Sequence, residues 1–267
     1  MNKWLTPVLF AGTFVALTIA ERRWPLRRRV EPPNRRLRRN LAMAAMTAGV
    51  TAALQQPLVD RVMRRTMARR SGLLRRIPSP ALRFVLGILL LDYTLWWWHW
   101  LNHTAPALWR FHVVHHADLD LDTSTAVRFH FGEMALAAFF RAAQVRLLGV
   151  DEQALAWWQR MLLLSILFHH SNLRLPEELD RRLRRLFVTP RMHGIHHSEI
   201  EDETNSNWSS LFTWWDFLHG TFREGVPQEA ITIGVPGWKD PHGLGIAEMI
   251  RMPARTVRGC RDGMGEG

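Results

Sequence analysis

Long apolar runs separated by arginine clusters set the layout of this 267-residue chain. The first run, Trp4 to Ala20, reads either as a signal peptide ending in Thr-Ile-Ala or as a helical anchor. The Glu-Arg-Arg-Trp-Pro-Leu-Arg-Arg-Arg that follows opposes translocation, which favours a retained anchor. A weaker span covers Leu41 to about Val59 and is interrupted by Gln55, Gln56 and Pro57. Residues 61–76 carry seven arginines, so an interfacial helix is expected there, with Val62, Met63 and Met67 toward lipid and arginines at the headgroups. Ala81 to Leu101 is the clearest span, of bilayer-crossing length, and ends in the aromatic belt Trp96-Trp97-Trp98-His99-Trp100. Residues 134–149 and 154–168 predict a short helical hairpin whose first arm, holding Arg141 and Arg146, packs on protein or reaches an interface. A basic surface helix is expected from Asp180 to Val188. Past Phe222 the chain turns rich in Gly, Pro and charge, and residues 253–267 read as disordered.

The pattern predicts an all-α, integral-membrane helical bundle with several passes. It divides into an anchor region over 1–80, a catalytic domain over 81–237 and a tail over 238–267. Residues 21–40 hold nine Arg against two Glu, which places that loop in the cytoplasm. Composition agrees: 47% of residues are hydrophobic, yet mean hydropathy is slightly negative because 35 Lys and Arg sit between the apolar runs. The net charge of +11 lies beside apolar spans rather than on a soluble basic domain. It therefore points to anionic lipid and not to nucleic acid. The only cysteine, Cys260, excludes an intrachain disulfide and a thiolate metal cluster.

Ten histidines carry the chemistry. His99 and His103 are four apart; His112, His115 and His116 form H-V-V-H-H; His193, His196 and His197 form H-G-I-H-H; His130 and His170 stand beside the hairpin. Imidazoles at i and i+3 or i+4 share one helix face, so each cluster can aim several nitrogens at one point. Because a hairpin returns the chain to the face it left, all ten can meet on one side, the cytoplasmic side if the arginine loop lies there. Eight to ten nitrogens exceed the four of a structural zinc, so two metals are the natural count. Imidazole alone does not choose among iron, zinc, copper and nickel. Asp92, Glu133 and Asp216 are candidates for orienting the rings. For His219 and His242 a hydrogen-bonded core role or plain exposure is expected.

Over roughly residues 81–237 the sequence resembles the fatty acid hydroxylase and sterol desaturase superfamily of integral-membrane di-iron enzymes. The resemblance rests on His99–His103, Leu-Trp-Arg-Phe-His-Val-Val-His-His at 108–116 and Thr-Ala-Val-Arg-Phe-His-Phe-Gly-Glu at 125–133. It continues in Phe-His-His-Ser-Asn-Leu-Arg-Leu-Pro at 168–176, Thr-Pro-Arg-Met-His-Gly-Ile-His-His-Ser at 189–198, then Asn207, Trp215-Asp216 and Gly220-Thr221. It implies a di-iron site held by His99, His103, His112, His115, His116, His170, His193, His196 and His197. His130 is either a tenth ligand or a structural hydrogen bond near the site. His169, Asn207, Asp216 and Glu133 would stand behind the ligands. Arg128 is expected to pair with an acidic neighbour.

The implied reaction is dioxygen activation at two iron ions and removal of hydrogen from an unactivated C–H bond of a lipid, followed by oxygen rebound. Hydroxylation is favoured over desaturation; a sterol, fatty acyl chain, ether lipid or terpenoid would serve as substrate. No dinucleotide fingerprint, iron–sulfur cysteines or fused haem domain is present in the sequence, so an external electron donor of the ferredoxin or cytochrome b5 kind is expected. In a bacterium the location would be the inner membrane. A zinc-dependent membrane hydrolase is the alternative, weakened by the lack of an H-E-x-x-H arrangement. A non-catalytic metal- or lipid-binding membrane protein is the third reading.

Overall fold

The computed structural model describes residues 5–255; Trp4, Cys260 and residues 256–267 of the tail lie outside the described residues. The chain is all-helical, and among the described residues β pairing is limited to isolated bridges. The bundle comprises α1 (Leu5–Arg23), α2 (Pro33–Val50), α3 (Gln56–Ala68), α4 (Pro80–Thr104), α6 (Phe131–Leu148) and α7 (Glu152–His170). Between α4 and α6 lies α5 (Pro106–His116); after α7 come α8 (Glu177–Leu183), α9 (Pro190–His196), α10 (Glu201–Thr204), α11 (Trp214–His219) and α12 (Ile246–Arg251). Among the described residues two helices, α1 and α4, are long and apolar enough to cross a membrane. Most of α1 faces outward, with Val8, Val15 and Ile19 exposed.

The weak span and the arginine-rich segment differ from expectation, because α2 and α3 form one rod joined by a π turn at Thr51–Gln55. Pro57 has no N–H to give the preceding turn. The ladder shifts register just before it, with Gln56 N–H reaching back five residues to the Thr51 carbonyl, so the helix continues. Beyond that turn Val59 and Met63 are buried in the core with Leu91, Val145, Leu148, Trp158 and Leu162, and Val62 and Met67 pack against it. These side chains face the bundle and not lipid, because their three- and four-residue spacing gives α3 a stripe that α6 covers.

The hairpin forms as expected, and its tip is pinned to the start of α4. A Cβ on Gly149, whose φ is +67°, would stand 2.7 Å from the Ser71 carbonyl oxygen, so this turn requires glycine. Arg75 donates to the Gly149 carbonyl at 2.8 Å and pairs with Asp151 at 2.7 Å. Gly149 therefore lies near the Pro80 end of α4, and the histidines gather at the Thr104 end.

That second end is a cap built on a buried ion network. Arg36, fully buried on α2, grips Asp118 with two bonds of 2.9 and 3.0 Å, reaches Asp122 at 2.7 Å and also donates to the Asp120 carbonyl. Asn40 donates to Asp118 and Ser124 and accepts from Arg128. Asp120 receives the N–H groups of Val30 and Glu31, and Glu21 receives those of Thr123 and Asn172. Residues before α4 thus brace the loop that follows α5. The tail also contributes: Leu244, Met249 and Met252 are fully buried with Met43, Trp109, Val113 and Val114. At about 1.5–3 kcal/mol per buried side chain, that contact docks residues up to 252, and 252–254 form a last helical turn.

Burial alone would raise Asp118, but Arg36 and Arg128 override it and hold its carboxyl well below the ordinary carboxylate range. Stability from this group is therefore full above that range and lost progressively as pH falls below it toward the group's own, lower pKa. Arg36→Ala should cost about 3–5 kcal/mol by leaving buried carboxylates unpaired. Thermal unfolding in detergent should show the loss at neutral pH and a flatter acid dependence than the parent, whereas exposed Arg38→Ala should match the parent.

Candidate metal centre

Four helix ends meet in the cap. The last two turns of α4 carry His99 and His103; α5 carries His112, His115 and His116; α7 ends in His169 and His170; α9 carries His193 and His196, with His197 at its C-cap. Pro106 starts α5 after an extended Ala105, which folds α5 back so that its histidine face meets that of α4. The result is two sets of four imidazoles: His99, His103, His116 and His196, then His115, His170, His193 and His197. Within each set the ligand nitrogens lie within 4.8 Å of one another. His112 sits between the sets, its ring 5.3 and 5.0 Å from those of His99 and His103 and 5.4 and 5.0 Å from those of His115 and His116.

Hydrogen bonds behind the rings decide what the inner nitrogens are. His115 Nδ1–H donates to the Arg128 carbonyl at 3.1 Å and His170 Nδ1–H to the Ile166 carbonyl at 2.9 Å. Each neutral ring then has a bare lone pair on Nε2, and these two Nε2 atoms face each other at 3.0 Å. The other set repeats the device. His99 donates to the Trp208 carbonyl and His196 to the Ser206 carbonyl, and their Nε2 atoms stand 3.1 Å apart. Two lone pairs at that separation repel unless a cation lies between them. Nitrogens bound to one metal at about 2.1 Å are separated by about 3 Å or slightly more, depending on the angle between bonds. The buried Nε2 atoms of His103, His112 and His116 have no protein partner either, as expected of donors waiting for a metal.

A proton is a poor substitute for that cation. Burial, followed by the neighbouring histidines, drives His115, His116, His193 and His197 far below the ordinary histidine range, and His196 down to about 3. The rings are neutral at physiological pH, the state a metal requires.

The surrounding residues divide by what they touch. Glu133 accepts from His112 Nδ1 at 3.0 Å and so turns Nε2 of that ring inward. Asp216 touches no imidazole; it accepts from Trp96, Thr221 and the N–H groups of Trp208 and Ser209, fixing the loop whose carbonyl holds His99. Asp92 likewise accepts from Phe212 N–H and Trp215. Asn207, at φ +52°, ties the carbonyls of Met192 and Arg223 and the Arg223 N–H together without meeting a ring. His169 lies against His170 and His193, with centroids 4.6 and 4.1 Å away. Arg128 reaches the Val114 carbonyl and Asn40, with Asp118 at 3.8 Å. His219 stacks on Trp96 at 4.0 Å.

His130 is set apart from the expected ten. Its Nδ1 accepts from Gly132 N–H at 2.9 Å, capping α6, and its Nε2–H donates to the Ile250 carbonyl, while its ring packs on Phe111 and Phe131. Both nitrogens are taken by backbone, so none is left for a metal. Sequence reasoning missed the carbonyls of Arg128, Ile166, Ser206 and Trp208, for which no side-chain signal exists. It also missed the Asp118–Arg36 network, whose signal was the alternating Asp118-Leu119-Asp120-Leu121-Asp122 facing an arginine-rich segment.

A cavity of about 620 Å3 opens onto His99, His112, His115, His169, His170 and His193. Its walls are mainly apolar, with Phe10, Leu95, Trp98, Phe129, Phe140, Leu162 and Ile166 among them. This is room for an apolar molecule reaching the imidazoles.

The sequence model of the fatty acid hydroxylase family matches residues 84–221, just over half of the chain. The chain belongs to this family. Among curated proteins, this fatty acid hydroxylase family member is 31% identical to the ornithine lipid hydroxylase OlsE of Rhizobium tropici, over 59% of the chain and 46% of that relative. It is 29% identical to human cholesterol 25-hydroxylase, over 51% of the chain and 49% of the relative. Human alkylglycerol monooxygenase is 24% identical, over 51% of the chain and 29% of the relative. The chain thus spans about half or less of the length of these relatives. No solved structure matches it significantly.

Glu133→Gln should weaken metal binding about 10–100-fold through His112. His130→Ala should keep the parent's metal content and lose only stability, while His116→Ala should lose metal; elemental analysis of purified protein after equilibration at limiting iron checks all three.

Proposed function

We propose that the chain is a membrane-bound di-iron oxygenase that hydroxylates a C–H bond of a lipid, using dioxygen and electrons from an external donor. One iron would be held by His99, His103, His116 and His196, the other by His115, His170, His193 and His197, with His112 between them. The observation that carries this reading is the pair of opposed, unprotonated Nε2 atoms in each set, beneath an apolar cavity. Eight or nine imidazoles with no carboxylate among them make a set that suits iron as well as zinc. A hydrolase would further need a general base aimed at the metal, and Glu133, the carboxylate that lines the cavity, is tied through Oε1 to the His112 ring.

When bound, the irons would supply dioxygen activation and oxidation of the C–H bond. The chain supplies the rest. The cavity walls hold an alkyl chain or ring system against the histidines and keep bulk water from the reacting carbon. Glu133 and the four carbonyls keep the ring protons on the outer nitrogens. The relatives' names, a hydroxylase of ornithine lipid, a hydroxylase of cholesterol and a monooxygenase of alkylglycerol, support a lipid substrate. The span helices α1 and α4 support a multi-pass membrane protein, and the arginine-rich connection at 21–40 supports a cytoplasmic cap. Exposed Arg22, Arg23, Arg28 and Arg38 there would present a basic face to an acidic ferredoxin or cytochrome b5-like donor.

The test is mass spectrometry of lipids from membranes carrying the chain, supplied with isotopically labelled dioxygen, beside membranes carrying His193→Ala, His196→Ala, His197→Ala. One labelled oxygen atom in a lipid hydroxyl, absent in the variant, is the expected result. A new double bond without label would move the reaction to desaturation. Unlabelled, unchanged lipids from iron-loaded protein would contradict the oxygenase.

A further inference from the structure

Arg141 lines the same cavity, far from the histidines. On α6 it lies eight residues beyond Glu133, about 12 Å along the helix axis. Neighbouring helices give the same level. Gln144, which accepts from Arg141 at 2.6 Å, donates to the Leu91 carbonyl and Thr94 hydroxyl, so this layer lies five to eight residues before His99 on α4. Leu91 is near the middle of the 25-residue α4, so the guanidinium stands at mid-depth in the bundle. A charge is most costly there, and a side chain kept there by default marks a functional site.

The protein does not satisfy this group. Arg141 makes one side-chain hydrogen bond, to Gln144, and stacks on Trp158 at 4.1 Å, while its buried Nε has no partner. Among the described residues no carboxylate lies within ion-pair distance of it, unlike Arg36, Arg39, Arg75 and Arg83, which all have one. Asp92, the acid that acts on it through space, holds Phe212 N–H and Trp215 with Oδ2, and its unpartnered Oδ1 does not come within ion-pair distance of Arg141. An unneutralised guanidinium in a mainly apolar cavity is matched by an oxygen acceptor on whatever fills that cavity.

We propose that Arg141 recognises the polar end of the substrate, a carboxylate or hydroxyl oxygen held about 12 Å from the carbon presented to the histidines. This inference rests on reading the cavity as the substrate site. It makes Arg141 a specificity residue: it selects lipids that carry an oxygen function at that distance and sets which carbon reaches the metals.

The test is equilibrium binding of radiolabelled hexadecanoic acid and cholesterol, with hexadecane and cholestane as oxygen-free controls, to the full chain in nanodiscs without reductant. The parent should bind at least one oxygenated probe about 10–100-fold more tightly than its hydrocarbon control. Preference for the acid identifies a carboxylate ligand, and preference for the sterol a hydroxyl. Arg141→Met should abolish that preference without changing hydrocarbon binding, and Arg141→Lys should restore part of it. Equal binding of oxygenated and hydrocarbon probes by the parent overturns the proposal, whatever the variants do. So does an Arg141→Met protein that retains the preference. Because no turnover is involved, a preference lost with Arg141 stands even if labelled oxygen never enters a lipid, and a labelled product can form although the preference is absent.

Discussion

The cap depends on one electrostatic constraint: the inner nitrogens of its imidazoles must be bare, and no protein group is there to meet them. At 3.0–3.1 Å, facing lone pairs repel, and a cation between them would turn that repulsion into coordination. The protein holds this unfavourable arrangement with strong scaffolding on the outside. Carbonyls of the loops at 128 and 206–208 take the outer N–H groups, Asp216 fixes the second of those loops, and Arg36 with Asp118 and Asp122 fixes the first. Remote side chains thereby set the tautomers of the rings.

Depth organises the rest of the molecule. Helices α4 and α7 both reach the cap at their C-termini while α6 runs the opposite way, so residues counted back along α4 or α7 measure distance from the histidine cluster. The imidazoles occupy one end of the cavity, and Arg141, with Phe140 beside it and Leu95 and Leu162 on the facing helices, the layer at mid-depth. The π turn in the long rod of α2 and α3 lies beside this cavity, with Thr51, Ala52 and Gln56 on its wall. Such a turn bends a helix without ending it, which suits a wall that must follow the shape of a ligand.

Much of this was legible in the sequence, for reasons that also explain the rest. The apolar run before His99, the hairpin before His170 and the short spacing within H-V-V-H-H and H-G-I-H-H are local patterns, and local patterns survive folding. Gln55-Gln56-Pro57 misled because a breaker motif does not reveal that a register shift can absorb it. Val62, Met63 and Met67 misled because the same amphipathic stripe serves lipid or a neighbouring helix. His130 shares its aromatic setting with real clusters, and only the positions of Gly132 N–H and the Ile250 carbonyl show that both nitrogens are occupied. The tail looked polar by composition, yet Leu244, Met249 and Met252 are spaced to dock on α5.

The central claim is that two cation sites are built from imidazole alone. Anaerobic titration of the metal-free full chain with ferrous iron tests it most directly, with bound metal read by elemental analysis after desalting. The account predicts saturation at about two irons per chain, falling toward one when His103 and His116 are both replaced by alanine. Saturation at one iron in the parent, or retention of two in that variant, would contradict it.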